Sequence, residues 1–583
     1  MNRQEFLRSA VADVSPTIYS EASATRSDSP QPHLAKRKLI RTTTGLSQYT
    51  GAWTVDTAAH LLRRTMFGPR RAEVLAIASV SLDAAVETLL STTPDPPPPQ
   101  GPDGTTWVNS PYDQTFSNNE GTYRSYLKAW WLGLMVGQGI SLVEKMVLFW
   151  HNHFPSEAID VQDARAMYRQ NALFRRFALG NFKQLVREVS VDPAMLIYLN
   201  GYLNTRTAPD ENYARELLEL FTIGKGPQRG DGDYTNYTEQ DVKAAAKVLT
   251  GYRLNGSPRD RRNGAYLNEP LGYRFEPTLH DPNPKQFSTA FPNPTNPNTG
   301  TIIPGRSGAA GEQELDDLLN MIFAQAETAR FICRKLYRWF VYYEIDSNVE
   351  QNVIEPMAQI LRSNNYEIKP VLRALLKSEH FYDVNNKGCF IRTPMDIVAG
   401  TIRQLNPQGV PDLTLAANYN LARQLVDRAA QMQMNLFDPP DVAGWKAFYQ
   451  VPDFYELWIN TTTLPTRGAY TDALFNGFRY NNTTFRTDPV AYAQTMSAPD
   501  DPFKLIDDLA SELSPINLTA KQKEALLYDP TVMGLVKGGE YEWGQRWRNE
   551  APFTNANENR QIITTRLTNL LKAMLRMAEA QLA

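Results

Sequence analysis

Two histidines one residue apart, His151 and His153, close an apolar run at Trp150-His151-Asn152-His153-Phe154 in a chain that has six histidines in 583 residues. Two imidazoles at the buried end of a core helix could serve as metal ligands or as a proton-transfer pair. On a continuous helix, at roughly 100° per residue, positions 151 and 153 would point about 200° apart. They converge only if the helix ends between them, and Pro155 just beyond predicts such an ending, because the residue before a proline is pushed out of helical angles. A third imidazole, His280, stands beside Asp281 and is followed by Pro282, in a stretch without helical rhythm. It reads as a further ligand with its carboxylate partner, against the alternative of a turn in which Asp281 caps a backbone amide.

Three carboxylates are acid/base candidates. Glu216 lies in Asn212-Tyr-Ala-Arg-Glu-Leu-Leu-Glu-Leu-Phe221, beside the stripe Tyr213, Leu217, Leu220 and Phe221. Half-burial there raises a carboxyl pKa unless a cation or metal compensates; the structural alternative is a salt bridge to Arg63, Arg64 or Arg215. Glu219 reads as surface. Glu239 and Asp241 open the next helix, where Thr238 is an N-cap with Asp241 in capping-box position and both acids complement the helix dipole. They become catalytic only if the preceding loop carries them to His151. His33 and His380 read as bland, and His60 as a packing residue one turn before Arg64.

The mixed nitrogen and oxygen set His151, His153, His280 and Asp281 suits zinc, iron, manganese or copper. The spacing is not a specific signature. The chain has no His-Glu-x-x-His, no Gly-rich phosphate loop and no Gly-x-Ser-x-Gly elbow. The string His-Asn-His is not an HNH nuclease motif, whose residues are scattered over a ββα-metal unit. Sixty basic against 63 acidic residues, a net charge of −3, leave no electrostatic footprint for nucleic acid.

The elements that must position these residues are mostly helices. Thr122 to Trp150 carries Leu127, Trp130, Trp131, Leu134, Met135, Leu142, Met146 and Phe149 at helical spacing. Helical rhythm also marks 54–67, 71–90, 160–177, 182–199, 209–223 and 238–249, and returns from Glu312 to the long amphipathic segment Glu558–Leu582. Between them, Leu254 to Gly311 is dense in Pro, Asn and Gly and predicts an ordered, irregular insert with short strands. Thr92 to Gly104, with Pro96 to Pro99 consecutive, predicts an extended polyproline segment. The expected fold is mostly α: a large multi-helix single body. An arm over residues 1–50, a core at 51–465 with the insert at 254–311, and a C-terminal helical extension at 466–583 packed on the core complete it.

Cys333 and Cys389 allow at most one disulfide, and Cys333 reads as a buried thiol in an apolar helix. No stretch approaches the roughly 18–20 apolar residues of a membrane span. Met1-Asn2-Arg3-Gln4-Glu5-Phe6-Leu7-Arg8 is similar to the start of a twin-arginine export signal, but the second arginine and the hydrophobic region are missing. A cytoplasmic placement is expected on that ground.

Seven ordered motifs carry a resemblance: His60-Leu-Leu-Arg-Arg-Thr-Met-Phe-Gly68, Phe149-Trp-His-Asn-His-Phe154, Asn212 to Gly224, Tyr237-Thr-Glu-Gln-Asp-Val242, Leu249-Thr-Gly-Tyr252, His280-Asp281 with Lys285, and Pro439-Pro-Asp-Val-Ala-Gly-Trp445. Over about residues 54 to 465 the chain resembles the bacterial family known as domain of unknown function 1800. The resemblance implies no reaction. It implies frequent export and a sulfatase-like partner protein.

Together these readings lead to the expectation of a helical metal-dependent enzyme, with His151, His153, His280 and Asp281 holding the metal and Glu216, Glu239 or Asp241 moving protons. Such an enzyme would be a hydrolase using metal-bound water or an oxidoreductase using a redox metal. The alternative is a non-catalytic assembly or interaction protein, in which the same polar groups form a buried structural network and a partner protein meets the proline- and asparagine-rich loops.

Overall fold

Most of the long helices start on a side chain that satisfies their first free amides. Thr54 and Thr57 form a capping box for Val55–Thr65. Asp113 accepts from Phe116 N ahead of Gln114–Gly137, and Asp163 from Arg165 N ahead of Ala164–Arg176. Thr393 with Asp396 begins Pro394–Leu405, and Asn555 begins Ala556–Arg576. In this computed structural model the described residues are 45–583, apart from 231, 261, 263–266 and 481–482. The arm expected over residues 1–50 and the export-like start therefore fall almost wholly outside the described residues. The fold is mostly α, and the sheets among the described residues are short and two-stranded.

At the centre lies the helix Val143–His153, every residue of which is buried. It packs along Ala164–Arg176, which in turn meets Gln114–Gly137. That last helix also packs against Tyr419–Gln431 and Pro394–Leu405. From 466 onward the chain continues the body: Thr463–Asn476 packs on both Pro394–Leu405 and the long helix Ala556–Arg576. Cys333 and Cys389 are both buried free thiols. No helix among the described residues is long and apolar enough to cross a membrane.

Two local readings are corrected. The apolar run from Thr122 to Trp150 is not one helix but two, broken between Gly137 and Val143, where Gln138 takes extended angles (φ −56°, ψ 144°). The break is stabilised from outside the run. The guanidinium of Arg403 donates to Val136 O (2.8 Å) and Gln138 O (2.6 Å), the carbonyls freed by it, and pairs with Glu73 at 2.7 Å. The second correction concerns the histidines. The helix does not end between them; it runs through His153, and only Phe154, before Pro155, leaves helical angles. His151 and His153 therefore diverge, as the rotation of a continuous helix requires.

The insert is ordered. Tyr252–Asn255 pairs with Gly272–Phe275, Lys285–Gln286 with Ile302–Ile303, and Pro292–Asn293 with Asn296–Gly300, all antiparallel. It is pinned to the body by fully buried carboxylates, Glu314 foremost. Glu314 pairs with the Lys285 ammonium, accepts from Arg306 N at 2.6 Å and lies 3.3 Å from His280 Nε2.

The loop Pro439–Trp445 folds back on the end of the central helix. Trp445, 2 % exposed, donates its backbone N–H to Asn152 Oδ1 at 2.9 Å. Gly444 has φ +90°, and a Cβ there would lie 2.4 Å from Asn152 Oδ1. Trp445→Ala is expected to lower the free energy of urea unfolding by about 3–5 kcal/mol, the cost of deleting a buried large aromatic. Gly444→Ala should also destabilise, through both backbone strain and the clash. An unchanged unfolding midpoint for either variant would mean that this loop is not anchored.

Candidate functional site

The motif around Asn212 folds in an unusual way. A short α-turn, Asn212–Glu216, passes into a π-helical turn, Leu217–Thr222, in which the Thr222 hydroxyl bonds to Leu217 O. The chain leaves this turn through Gly224 at φ +73°, whose N–H bonds to Leu218 O. Wider i→i+5 turns of this kind are frequent at functional sites. Here the carbonyls of Leu220 and Phe221 are directed to side chains from two other helices. His153 Nε2 lies 3.0 Å from Phe221 O, and Lys335 Nζ lies 3.0 Å from Leu220 O. Lys335 and His153 also meet, with Nζ 3.1 Å from Nδ1.

These partners assign the tautomer. Nε2 faces a carbonyl and must carry the proton, which leaves Nδ1 as the acceptor for the lysine. Both nitrogens of His153 are thus engaged. Burial, and then the neighbouring Lys335, hold its pKa well below the ordinary imidazole value. The amino group of Lys335 has no carboxylate partner among the described residues. Burial first, then Arg338, brings its pKa down to about 7. The Phe331 ring lies 5.0 Å from Nζ.

His151 occupies the opposite side of the helix, in a box of Trp131, Phe437 and Trp445 with ring centroids 5.5, 5.3 and 5.7 Å away. Its Nε2 is buried without a hydrogen-bond partner. Desolvation lowers its pKa to about 3.

Glu216 stands at the head of the π-turn, half-buried. It makes no hydrogen bond or ion pair among the described residues, and burial, followed by Glu219, raises its pKa to about 7. The salt bridges that would have neutralised it are made elsewhere. Arg215 pairs with Glu239 and Glu211, Arg64 donates to Val341 O and Cys389 Sγ, and Arg63 donates to Ser511 O. Glu219, expected at the surface, instead accepts from Tyr237 Oη at 2.9 Å and pairs with Lys225 at 2.6 Å.

The remaining candidates make contacts that hold elements together. Glu239 is held by Arg215, which lowers its pKa. Asp241 closes the capping box with Thr238 N (2.8 Å) and fastens the insert through Ser288 N and Oγ, both at 2.6 Å. His280 Nδ1 faces Thr250 O at 3.0 Å, and Asp281 accepts from Asn283 N at 2.9 Å, as the turn alternative predicted. The expected ligand set is therefore spread over three environments: His151 in its aromatic box, His153 against Lys335, and His280 with Asp281 at the root of the insert. No group of three or more His, Cys, Asp or Glu side chains among the described residues is placed to hold a metal ion.

Two residues of these clusters escaped the sequence reading. Lys335 interrupts an apolar stripe, with Phe331 four residues before it and Trp339 four after. A lysine inside such a stripe is a signal of a half-buried amine. Glu314 left no comparable signal, since it sits in the first turn of its helix, where acids are common.

A family model described as Protein of unknown function (DUF1800) matches residues 60–532. The chain belongs to this family. The DUF1800 match runs past residue 465, where the motif resemblance stops, and takes in the helices Pro489–Ala493, Pro502–Leu513 and Ala520–Tyr528. No curated protein and no solved structure matches the chain. Within the DUF1800 region, the motifs around His151, Asn212 and Pro439 meet at the end of the central helix.

His151 and Glu216 shift the pH dependence of stability at opposite ends of the range. Below pH about 6.5 the unfolded chain protonates His151 while the folded chain refuses the proton, so stability falls from there down to about pH 3. At about 1.4 kcal/mol per pKa unit the loss is on the order of 4 kcal/mol. His151→Phe should flatten this part of the pH profile in urea unfolding; an unaltered acid slope would contradict the aromatic box. Glu216 is raised instead, so stability falls as the pH rises from about 4.5 through about 7, and the full cost is present above that. Glu216→Gln should stabilise the protein at pH 8 by about 1 kcal/mol once solvent screening of a half-exposed group is allowed for.

Proposed function

We propose that the protein is an enzyme in which Lys335 is the reactive group, His153 positions it, and Glu216 on the same π-turn segment exchanges protons. The observation that carries this reading is the Lys335 amine itself: it is held by His153 Nδ1 at 3.1 Å and Leu220 O at 3.0 Å, with no counter-ion among the described residues. A half-buried lysine with no carboxylate beside it loses its proton more readily than a surface lysine and becomes a nucleophile or a general base. Two of the amine's hydrogens are used by His153 and Leu220 O, so its lone pair is directed away from both. The chemistry that follows is attack on, or proton abstraction next to, a carbonyl carbon. Glu216, poised near neutrality at the head of the turn, suits the complementary proton transfer. Hydrolysis through metal-bound water, the finer expectation from the sequence, gains no support from the donor set, because His153 has both nitrogens engaged by protein neighbours and His151, His153 and His280 lie in three separate environments.

A second reading, a non-catalytic assembly protein, is favoured by one specific observation. The His280–Glu314–Lys285 cluster is entirely buried and joins the insert to the body as a structural network would. Competitive acetylation followed by mass spectrometry separates the two readings. Lys335 is expected to label with an apparent pKa near 7, whereas surface lysines follow the ordinary value of about 10.4, and the His153→Phe variant should move the Lys335 profile. A profile like that of surface lysines, or complete protection of Lys335 in the folded protein, would sink the enzymatic reading and leave the assembly one.

A further inference from the structure

Beside the helix Val55–Thr65 the body buries more positive charge than it has carboxylates to match. Arg392, Lys145 and Arg467 are buried there and Arg63 is half-buried. The carboxylate among them, Asp396, is already taken: Lys145 pairs with one oxygen, and Thr393 N and Oγ1 donate to the other at 3.2 and 2.9 Å. Glu512 pairs with Arg71 at 3.3 Å. Arg392 and Arg63 are left with neutral oxygens. Arg392 Nη2 donates to Asp396 O at 2.7 Å and to Gln404 Oε1 at 3.1 Å, and Nη1 donates to Ala580 O. Arg63 Nη2 donates to the carbonyls of Ser511 and Glu512. Burial lowers the Arg392 pKa to about 10; Asp396 opposes the shift and Arg63 adds to it.

Both arginines line one small cavity, with Gly68, Asp396, Gln404 and Leu513; its volume is about 10 Å³, room for a single water-sized particle. The Arg392 guanidinium stands at its wall. Both acceptors of Nη2, Asp396 and Gln404, line the cavity, and Nη2 lies 2.9 Å from where a Cβ on Gly400 would be. Arg63 is held at the Leu513 side by the two carbonyls that precede that residue. Arg392 Nε, Arg63 Nε and Nη1, and Gln404 Nε2 make no hydrogen bond among the described residues; unlike the orphaned Nε of Arg467, none of them is sealed inside the packing. Charges held away from bulk water call for an opposite charge and for hydrogen bonds. We propose that this cavity is a binding site for a single monatomic anion, chloride under cellular conditions, held by the guanidiniums of Arg63 and Arg392 and the amide N–H of Gln404. Phosphate, sulfate and organic acids are too large for it. An anion there ties the helix Val55–Thr65 to Pro394–Leu405 and to the residues 582–583 that close the cavity. The site is separate from Lys335 and stands whether or not that residue is reactive.

Chloride NMR and urea unfolding of the full chain test it together. The protein should broaden the chloride resonance saturably; bromide should compete for the site, and gluconate, too large for the cavity, should not. At constant ionic strength, stability should rise as chloride replaces gluconate, following the logarithmic dependence of a site present only in the folded state. Arg63→Gln, at a half-buried position, should weaken chloride affinity at least about tenfold and flatten that dependence. Gln404→Leu, which keeps both guanidiniums, should weaken it by a smaller factor and carries the test if Arg63→Gln does not fold. Equal stability in chloride and gluconate, without saturable broadening, would overturn the proposal and assign the counter-charge to the carboxylate of Ala583, which lines the same cavity. Saturable broadening that both variants leave unaltered would overturn it as well, by placing the chloride elsewhere on the protein.

Discussion

The helix Val143–His153 is buried on every face, and this constrains everything around it. A polar side chain on such a helix cannot turn to water, so each must find a partner within the protein or be left neutral and unpaired. Most find one. Glu144 takes Arg175 and the Trp131 indole N–H, Lys145 takes Asp396, and Asn152 takes the backbone of Trp445. The loops and helices that supply these partners come from places more than 200 residues apart in the chain. The central helix thus decides where distant segments must arrive.

Against that background the unpaired groups stand out. His151 is left neutral among aromatic rings, which is cheap for an imidazole that never has to charge. Lys335 and Glu216 are different, because an amine and a carboxyl are ordinarily ionised and both are held where ionisation is unfavourable. The end of the π-turn supplies the partners. The carbonyls of Leu220 and Phe221, in its last turn and so free of intrahelical partners, satisfy the N–H groups of Lys335 and His153 without supplying a negative charge. A carboxylate in the same place would have restored the lysine's ordinary pKa and removed its reactivity. The Glu314 cluster is the opposite case: lysine, histidine and carboxylate are buried together, and the charges satisfy one another.

Local features of the fold were legible from residue order. The capping box at Thr238, the order and short strands of the insert, the anchoring of Trp445 and the half-burial of Glu216 all follow from patterns a few residues long. The break at Gln138 was not legible, because its apolar rhythm continues across it; Arg403, 265 residues further on, supplies the bonds that make the break stable. The end of the histidine helix was misjudged for a related reason. Pro155 forbids helix at its own predecessor but allows it up to His153, so one residue of difference turned a convergent pair into a divergent one.

The sequence by itself determined the helical class, the family, the positions of the caps and the residue types able to do chemistry. Those properties depend on side-chain periodicity and on hydrogen bonds that reach no further than one turn. Which candidates meet was decided only by the tertiary structure. His153 faces Lys335 rather than His151, and His280 faces Glu314 rather than either, because partners for buried polar groups are chosen by packing among helices distant in the chain. No local pattern records that choice.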